Sequence, residues 1–313
     1  MVDSKHQWKA WLYLLPALVL LAIFTLWPLI NTVRLAFSEG YDKLGAEVTF
    51  GFGNFAKVVE YQGFLTCLKN TILLCVLTVP ISTILALLIA VVLNSIGPLK
   101  RLLQTIYFLP YVTNSIAIGL VFAAMFNIVG SFLGTDNEII YTAGIVNNLI
   151  MAFGGKPVNW INAGSTYWAN MTVMVIYIVW NALPFKILIL LGGLQSVNKQ
   201  YYDAAKVDGT PKWRITTRIT VPLLSPMIAY VVITGFIGGF KEYTSIVGIF
   251  GETMGPPGDT NASGTMNTMV GFIYQSLENN QQARASAAAL ILFAIILAVT
   301  IINLYVSKKR VHY

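Results

Sequence analysis

The sequence predicts an all-α membrane protein with six transmembrane helices. Of its 313 residues 56% are hydrophobic and only 11% charged, its mean hydropathy is +0.70, and its apolar residues gather in long uninterrupted runs. Such a composition lies well above the apolar share of soluble domains. Lipid offers no partner to an unpaired backbone group, so an apolar run of about 20 residues must close its hydrogen bonds internally, as a helix. The alternating segments of an outer-membrane barrel are absent.

Six runs are long enough: Trp11 to Phe37, Thr71 to Leu93, Leu102 to Val129, Trp168 to Leu194, Ile219 to Phe250 and Ala285 to Val306. The first follows Lys5 and Lys9, as a signal peptide would, but it is too long and lacks a small-x-small cleavage site, so it reads as a retained helix. Pro222 and Pro226 delay the start of the fifth. The last, "ARASAAALILFAIILAVTIINLYVSKKR", has small residues for close helix packing and a basic tail. Cys67 and Cys75, at or within the second run, suit small core residues better than a disulfide framework or a metal site.

Six spans place both termini on one side. That side holds Lys5, Lys9, Lys100, Arg101, Lys199, Lys206, Lys212, Arg214, Arg218, Lys308, Lys309 and Arg310 against Asp3, Asp203 and Asp208. Short loops rich in Lys and Arg stay cytoplasmic, so both termini are expected in the cytoplasm. Glu39, Asp42, Glu47, Glu60, Asp136, Glu138, Glu252, Asp259 and Glu278 fall on the other side. The net charge of +7 is therefore a topology signal, suited also to anionic lipid heads, and does not imply nucleic acid.

The stretch "YYDAAKVDGTPKWRITTRITVPLLSP", Tyr201 to Pro226, concentrates charge between two apolar runs. Lys199 to Lys206 favours a short helix, Gly209 breaks it, and Thr210 and Pro211 suit the N-cap and first residue of the next. Ala204 and Ala205 keep one face small, while Tyr201, Tyr202 and Trp213 offer rigid contact area. A docking surface and a plain solvated loop are both open on these residues alone.

Polar groups inside spans are costly and mark pathways. In the fourth run, "VWNALPFK" sets Asn181 and Lys186 beside Pro184, whose missing N–H loosens the helix. In the fifth, "GFIGGFKEY" removes bulk at Gly235, Gly238 and Gly239 next to Phe240, Lys241, Glu242 and Tyr243. Sugars stack apolar ring faces on aromatics and offer hydroxyls to polar groups, so such a hollow suits them. Helix packing through the glycines, with Lys241 and Glu242 paired, is the plainer alternative.

The order Asp203, Ala204, Ala205, Asp208, Gly209, Trp213, Ile219, Pro222, Leu223, Leu224, Pro226 resembles the EAA signature of inner-membrane permeases of bacterial ABC importers. "WLYLLPALVLLAIFTLWPLI", "LLQTIYFLPYV", "VNWIN", "WNALPFKILILLGGLQSV" and "FKEYTSIVGIF", in this order, extend the likeness over nearly the whole chain, toward the carbohydrate-uptake group of maltose and oligosaccharide type. Asp203 stands where Glu is usual, Thr210 for a common Ala, and Thr216 for a common Phe.

The resemblance implies the type I importer permease fold in a bacterial plasma membrane, with residues 1–66 as a first helix and outer loop, 67–310 as the permease core and 199–218 as the coupling loop. Asp203, Ala204, Ala205, Asp208 and Gly209 would couple to a cytoplasmic ATPase dimer that holds the ATP and Mg, with no cofactor on this chain. A second homologous permease and an extracytoplasmic sugar-binding protein would complete the complex, and the Gly- and Pro-rich segment "GETMGPPGDTNASGTMNTM" would face the latter. Sugar-lining positions of such permeases fall on Asn181, Ala182, Phe185, Gly235, Gly238, Gly239 and Glu242, with Lys241 and Tyr243 beside them.

Other functions fit less well. His6 and His312 lie at opposite ends, and the sequence has neither a paired intramembrane aspartate nor a zinc motif, so an enzyme is not expected. The chain has no Walker A sequence of its own. An ion-coupled secondary carrier would have no use for an ATPase dock and would favour a mid-span acid, which none of the six runs has. A permease for another solute, such as glycerol phosphate or peptide, is the alternative within the class.

Overall fold

In the computed structural model the described residues are 7–44, 47–96, 100–133, 139–261 and 263–310. Asp3, Lys5, His6, Asp136, Glu138 and His312 lie outside them. The chain runs through α1 (Gln7–Leu21), α2 (Trp27–Ala36), the hairpin of β1 (Ser38–Glu39) and β2 (Thr49–Phe50), α3 (Gly53–Val59), α4 (Phe64–Ser95), α5 (Lys100–Val112) and α6 (Ser115–Phe126). An antiparallel pair, β3 (Ile128–Leu133) and β4 (Ile139–Ala143), leads to α7 (Ile145–Ala152), α8 (Tyr167–Ser196), α9 (Lys199–Val207), α10 (Lys212–Ile215) and α11 (Val221–Leu223). Then come α12 (Ser225–Gly239), α13 (Thr244–Phe250), α14 (Met269–Glu278) and α15 (Gln282–Arg310).

Among the described residues four helical stretches are long and apolar enough to cross a bilayer: Trp11–Ala36, Phe64–Ser95, Tyr167–Ser196 and Gln282–Lys309. A fifth is a pair, Lys212–Leu223 and Ser225–Gly239, bent by 69°. Two of the six expected runs therefore differ from a single straight helix. The run 102–129 is divided after Val112, because the extended Asn114 turns its side-chain oxygen onto the N–H groups of Ile116 and Ala117, 2.9 and 3.3 Å away, and starts a new helix. The run 219–250 ends as a helix at Gly239. The carboxylate of Glu242 then accepts from the Tyr243 and Ser245 N–H groups and the Ser245 hydroxyl, opening α13 in its place.

Two π-helical turns, Ala22–Leu26 and Thr216–Thr220, each end two residues before a proline, Pro28 and Pro222. A proline cannot donate to the carbonyl four residues back and crowds it, so the widened turn accommodates the ring without ending the helix.

The chain forms two compact units. The first gathers the chain up to Phe64 with Phe272–Phe293. In it Asp42 accepts the N–H groups of Ala283 and Arg284 at 2.8 and 3.2 Å, capping α15, and the Arg284 guanidinium lies over the Tyr61 ring at 4.8 Å. The described side chains of α1 are all exposed, as suits a helix surrounded by lipid.

The second unit, Leu65–Gly271 with the chain from Ala294 on, includes two cores among its described residues. Leu74, Phe122, Met171, Met174, Tyr177, Ile246 and Phe250 join α4, α6, α8 and α13. Ala86, Ala90, Ile187, Leu190, Leu224 and Val231 join the other ends of α4 and α8 to α12 and the residue before it. At the α6–α13 crossing, a Cβ added to Gly119 would lie 2.6 Å from the Gly248 Cα. The obstacle is backbone and cannot swing aside, so Gly119→Ala is expected to cost about 1–3 kcal/mol. A thermal melt of the detergent-solubilised protein checks this, and an unchanged midpoint would mean the helices are not held at that distance.

Candidate functional site

Between the two cores, at the middle of α4 and α8, lies a cavity of about 280 Å³. Thr78, Val79 and Ser82 line it from α4, Tyr111 from α5, Asn181, Ala182, Phe185 and Lys186 from α8, Gly235, Gly238 and Gly239 from α12, and Glu242 from the break that follows. Pro80 and Pro184 lie at this depth, and each withholds an N–H from its own helix.

Lys186 is 5% exposed. Its ammonium donates to Ser82 Oγ at 2.7 Å, Thr83 Oγ1 at 3.0 Å and the Val79 carbonyl at 3.3 Å, which uses all three of its protons. No carboxylate pairs with it among the described residues. The Phe185 and Tyr111 rings stack at 5.8 Å, 17° from parallel, giving the cavity a flat aromatic wall. Glu242 holds its hydrogen bonds through Oε1.

The three glycines serve different ends. A Cβ at Gly239 would lie 2.9 Å from Cys75 Sγ, so this glycine packs α12 against α4. A Cβ at Gly235 would lie 3.2 Å from the Lys186 amine, so this one makes room for the buried charge. Nothing lies within 4 Å of a Cβ at Gly238, so its lack of a side chain leaves the cavity open. The hollow and the packing contact expected as alternatives are thus both present, at different positions.

Lys241 and Tyr243 do not line the cavity. Lys241 is exposed and unpaired with Glu242, whose carboxylate instead opens α13, and Tyr243 packs against the core of α4, α6, α8 and α13. Thr78, Ser82 and Tyr111 were absent from the expected set. The signal for the first two was a buried polar run, Thr78, Ser82 and Thr83, flanking Pro80 in an otherwise apolar helix. Hydroxyls, an amide, an ammonium, a carboxylate and stacked rings together suit a ligand with many hydroxyls and apolar faces.

The charged stretch folds as helix, turn, helix. Asn198 caps α9 through the Gln200 N–H, and Gly209, at φ +64°, ends it. The N–H of Gly209 reaches the Lys206 carbonyl and that of Thr210 the Ala205 carbonyl, each at 3.0 Å. This is a Schellman motif, whose turn residue needs left-handed backbone. The second helix starts at Lys212 with Pro211 as its cap, one residue later than expected. Ala205 is buried and Ala204 exposed, as are Asp203 and Asp208. Tyr201 and Trp213, 55% and 64% exposed, present apolar area to the surroundings.

The Gly- and Pro-rich segment between α13 and α14 is anchored. Asn70 at the start of α4 donates to the Thr265 and Asn267 carbonyls at 2.9 and 2.8 Å and accepts from the Tyr167 hydroxyl at 2.8 Å. Thr71 accepts the Met269 N–H, and the Thr268 hydroxyl donates to the Glu242 carbonyl at 2.7 Å. At Asp259, burial raises the carboxyl pKa, but hydrogen bonds from Thr265 and Asn261 outweigh it and hold the group below its ordinary value.

Compared with known proteins, residues 79–312 match the family described as binding-protein-dependent transport system inner membrane component. The lactose transport system permease protein LacF of Rhizobium radiobacter is 29% identical over 311 residues, covering 96% of this chain and 95% of that protein. The arabinooligosaccharides transport system permease protein AraP of Bacillus subtilis is 28% identical, covering 97% and 91%. The trehalose/maltose transport system permease protein MalF of Thermococcus litoralis is 27% identical, covering 99% and 98%. Among solved structures, a chain of a bacterial alginate ABC transporter, in complex with an alginate pentasaccharide-bound periplasmic protein, superposes with a TM-score of 0.77. It is 22% identical, with 97% of this chain and 96% of that one covered, which speaks to the fold.

Proposed function

The chain belongs to the binding-protein-dependent transport system inner membrane component family, and from that premise we propose that it is a permease subunit of an ABC importer that carries a sugar, of di- or oligosaccharide size, across the membrane. The observation that carries this is the mid-helix cavity, where stacked rings, an amide, hydroxyls and a glutamate converge at the depth of two prolines inside continuous helices. The named substrates of the relatives, lactose, arabinooligosaccharides and trehalose or maltose, are of that class.

On this reading the divided α5–α6 and the bent α10–α12 complete six crossings, and both termini are cytoplasmic. Residues 67–310 are the permease core, preceded by a first helix and outer loop. The α9–α10 hairpin, through Asp203, Ala204, Ala205, Asp208 and Gly209, docks on a separate ATPase dimer that binds ATP and Mg. A second permease subunit pairs with this one, and a loaded binding protein docks outside. Closure of the ATPase pair turns the hairpin, the helices rotate, and the cavity opens outward to receive the sugar; hydrolysis resets it. Lys186 and Glu242 set the polarity of the path.

Gentle purification from the native membrane followed by mass spectrometry tests this. A second permease and a P-loop ATPase are expected to accompany the chain and to be lost when Asp203 and Gly209 are substituted. A chain that purifies alone and transports without ATP would be a secondary carrier. Glu242→Gln is expected to shift the order of preference in a sugar panel by about tenfold for the most affected sugar, with assembly intact, since a charged acceptor becomes a neutral one. Unchanged uptake of every sugar would remove Glu242 from the site.

A further inference from the structure

A second cavity, of about 640 Å³, lies where α4 and α8 end, between those ends and the α9–α10 hairpin. On the side of the long helices its wall carries the apolar Val91, Val92 and Leu194 beside the polar Asn94 and Ser95, and on the side of the hairpin it is cationic, at Lys199, Lys206 and Lys212. The one acid lining it is Asp203, which pairs with Lys206 at 3.1 Å while both side chains are about 70% exposed. Exposed pairs of this kind hold weakly and yield to a competing anion. Lys199 and Lys212 have no ion pair among the described residues.

Tyr202 also lines this cavity, and its phenol oxygen, shielded from solvent, has no hydrogen-bond partner among the described residues. A buried hydroxyl without a partner costs free energy, and the lysines that line the same cavity have no acceptor to offer it. An anionic oxygen would satisfy both at once. Val91, Val92 and Leu194 sit near the ends of two membrane-length helices, where apolar residues give way to polar ones as lipid chains give way to headgroups.

We propose that this cavity binds a phosphate group, held by Lys199, Lys212 and the Tyr202 hydroxyl, and that an anionic phospholipid supplies it. The site does not depend on whether the hairpin docks an ATPase or on what the mid-helix cavity carries.

The test is a titration of the chain, purified with whatever subunits accompany it in a neutral detergent, with dioleoylphosphatidylglycerol, dioleoylphosphatidylcholine and glycerol 3-phosphate, read by native mass spectrometry. Phosphatidylglycerol is expected to stay bound where phosphatidylcholine does not. The double variant Lys199→Gln/Lys212→Gln should weaken that binding roughly 25-fold, two basic groups' worth at a membrane surface. Tyr202→Phe should weaken it about fivefold through the lost hydrogen bond. Lys308→Gln/Lys309→Gln removes the same charge from the end of α15 and should change it less than about twofold. Glycerol 3-phosphate binding as tightly as the lipid would keep the phosphate site and assign it a soluble ligand. Equal loss in both double variants, or none in the first, would overturn the proposal.

Discussion

Gly209→Val is expected to reduce ATP-driven uptake at least about tenfold while the chain still inserts in the membrane. The residue sits at φ +64° in the turn between α9 and α10. An added Cβ there meets no atom within 4 Å, so crowding is not the source of the effect. The cost is in the backbone: a left-handed conformation is unfavourable by roughly 1–2 kcal/mol for an ordinary residue and more for a β-branched one. The hairpin is exposed and lightly held, so it can relieve that cost by unwinding the end of α9 and re-aiming α10. Asn tolerates the left-handed region, and Gly209→Asn is expected to keep most of the uptake. Uptake in membrane vesicles energised with ATP, normalised to inserted protein, separates the two. Normal uptake in the valine variant would deny the hairpin a coupling role.

Lys186→Met should lower transport by at least about tenfold and leave thermal stability equal or higher. A buried ammonium with no carboxylate beside it carries an unrecovered desolvation cost, and a neutral side chain of similar length removes it. The hydroxyls that now accept from Lys186 already donate within their own helix: Ser82 to the Thr78 carbonyl at 2.5 Å and Thr83 to the Val79 carbonyl at 2.7 Å. Removing the amine therefore leaves no buried donor without an acceptor. A stabilised protein that no longer transports would place the charge in the translocation path. A destabilised protein that transports normally would make Lys186 a strap between α8 and α4.

Hydropathy was sufficient for the spans that are single helices, since lipid makes length and apolarity decisive. It could not find the division after Val112, which a single Asn114 oxygen makes by competing for two N–H groups inside an apolar run. Nor could it place the break after Gly239, since beyond Lys241 and Glu242 the apolar run resumes in α13. The hairpin was legible because its turn chemistry is local: Gly209 and its flanking caps act within a few residues. At the cavity, Asn181 was legible as polarity and Gly238 as missing bulk within runs, while Ala182 and Phe185 were named only through the family resemblance. Tyr111 was not legible, because its place opposite Phe185 depends on the packing of α5 against α8, a contact over 70 residues that no local pattern encodes. Lys241 looked like a partner for Glu242 by adjacency, yet the end of the helix sends the two side chains to different surroundings.

The hydrogen bonds around Asn70 bear on how such chains could be recombined. The segment after α13 is not a detachable surface ornament, because its carbonyls close on Asn70, its Met269 N–H closes on Thr71, and Thr268 closes on the backbone of Glu242 in the cavity wall. A chimera that grafts this segment from a relative, leaving the recipient's own residues at positions 70, 71 and 167, would sever a buried polar junction and displace Glu242 along with it. The natural module for exchange is therefore the segment together with the first turns of α4 and α8, and a graft drawn on those boundaries would carry its own cavity wall.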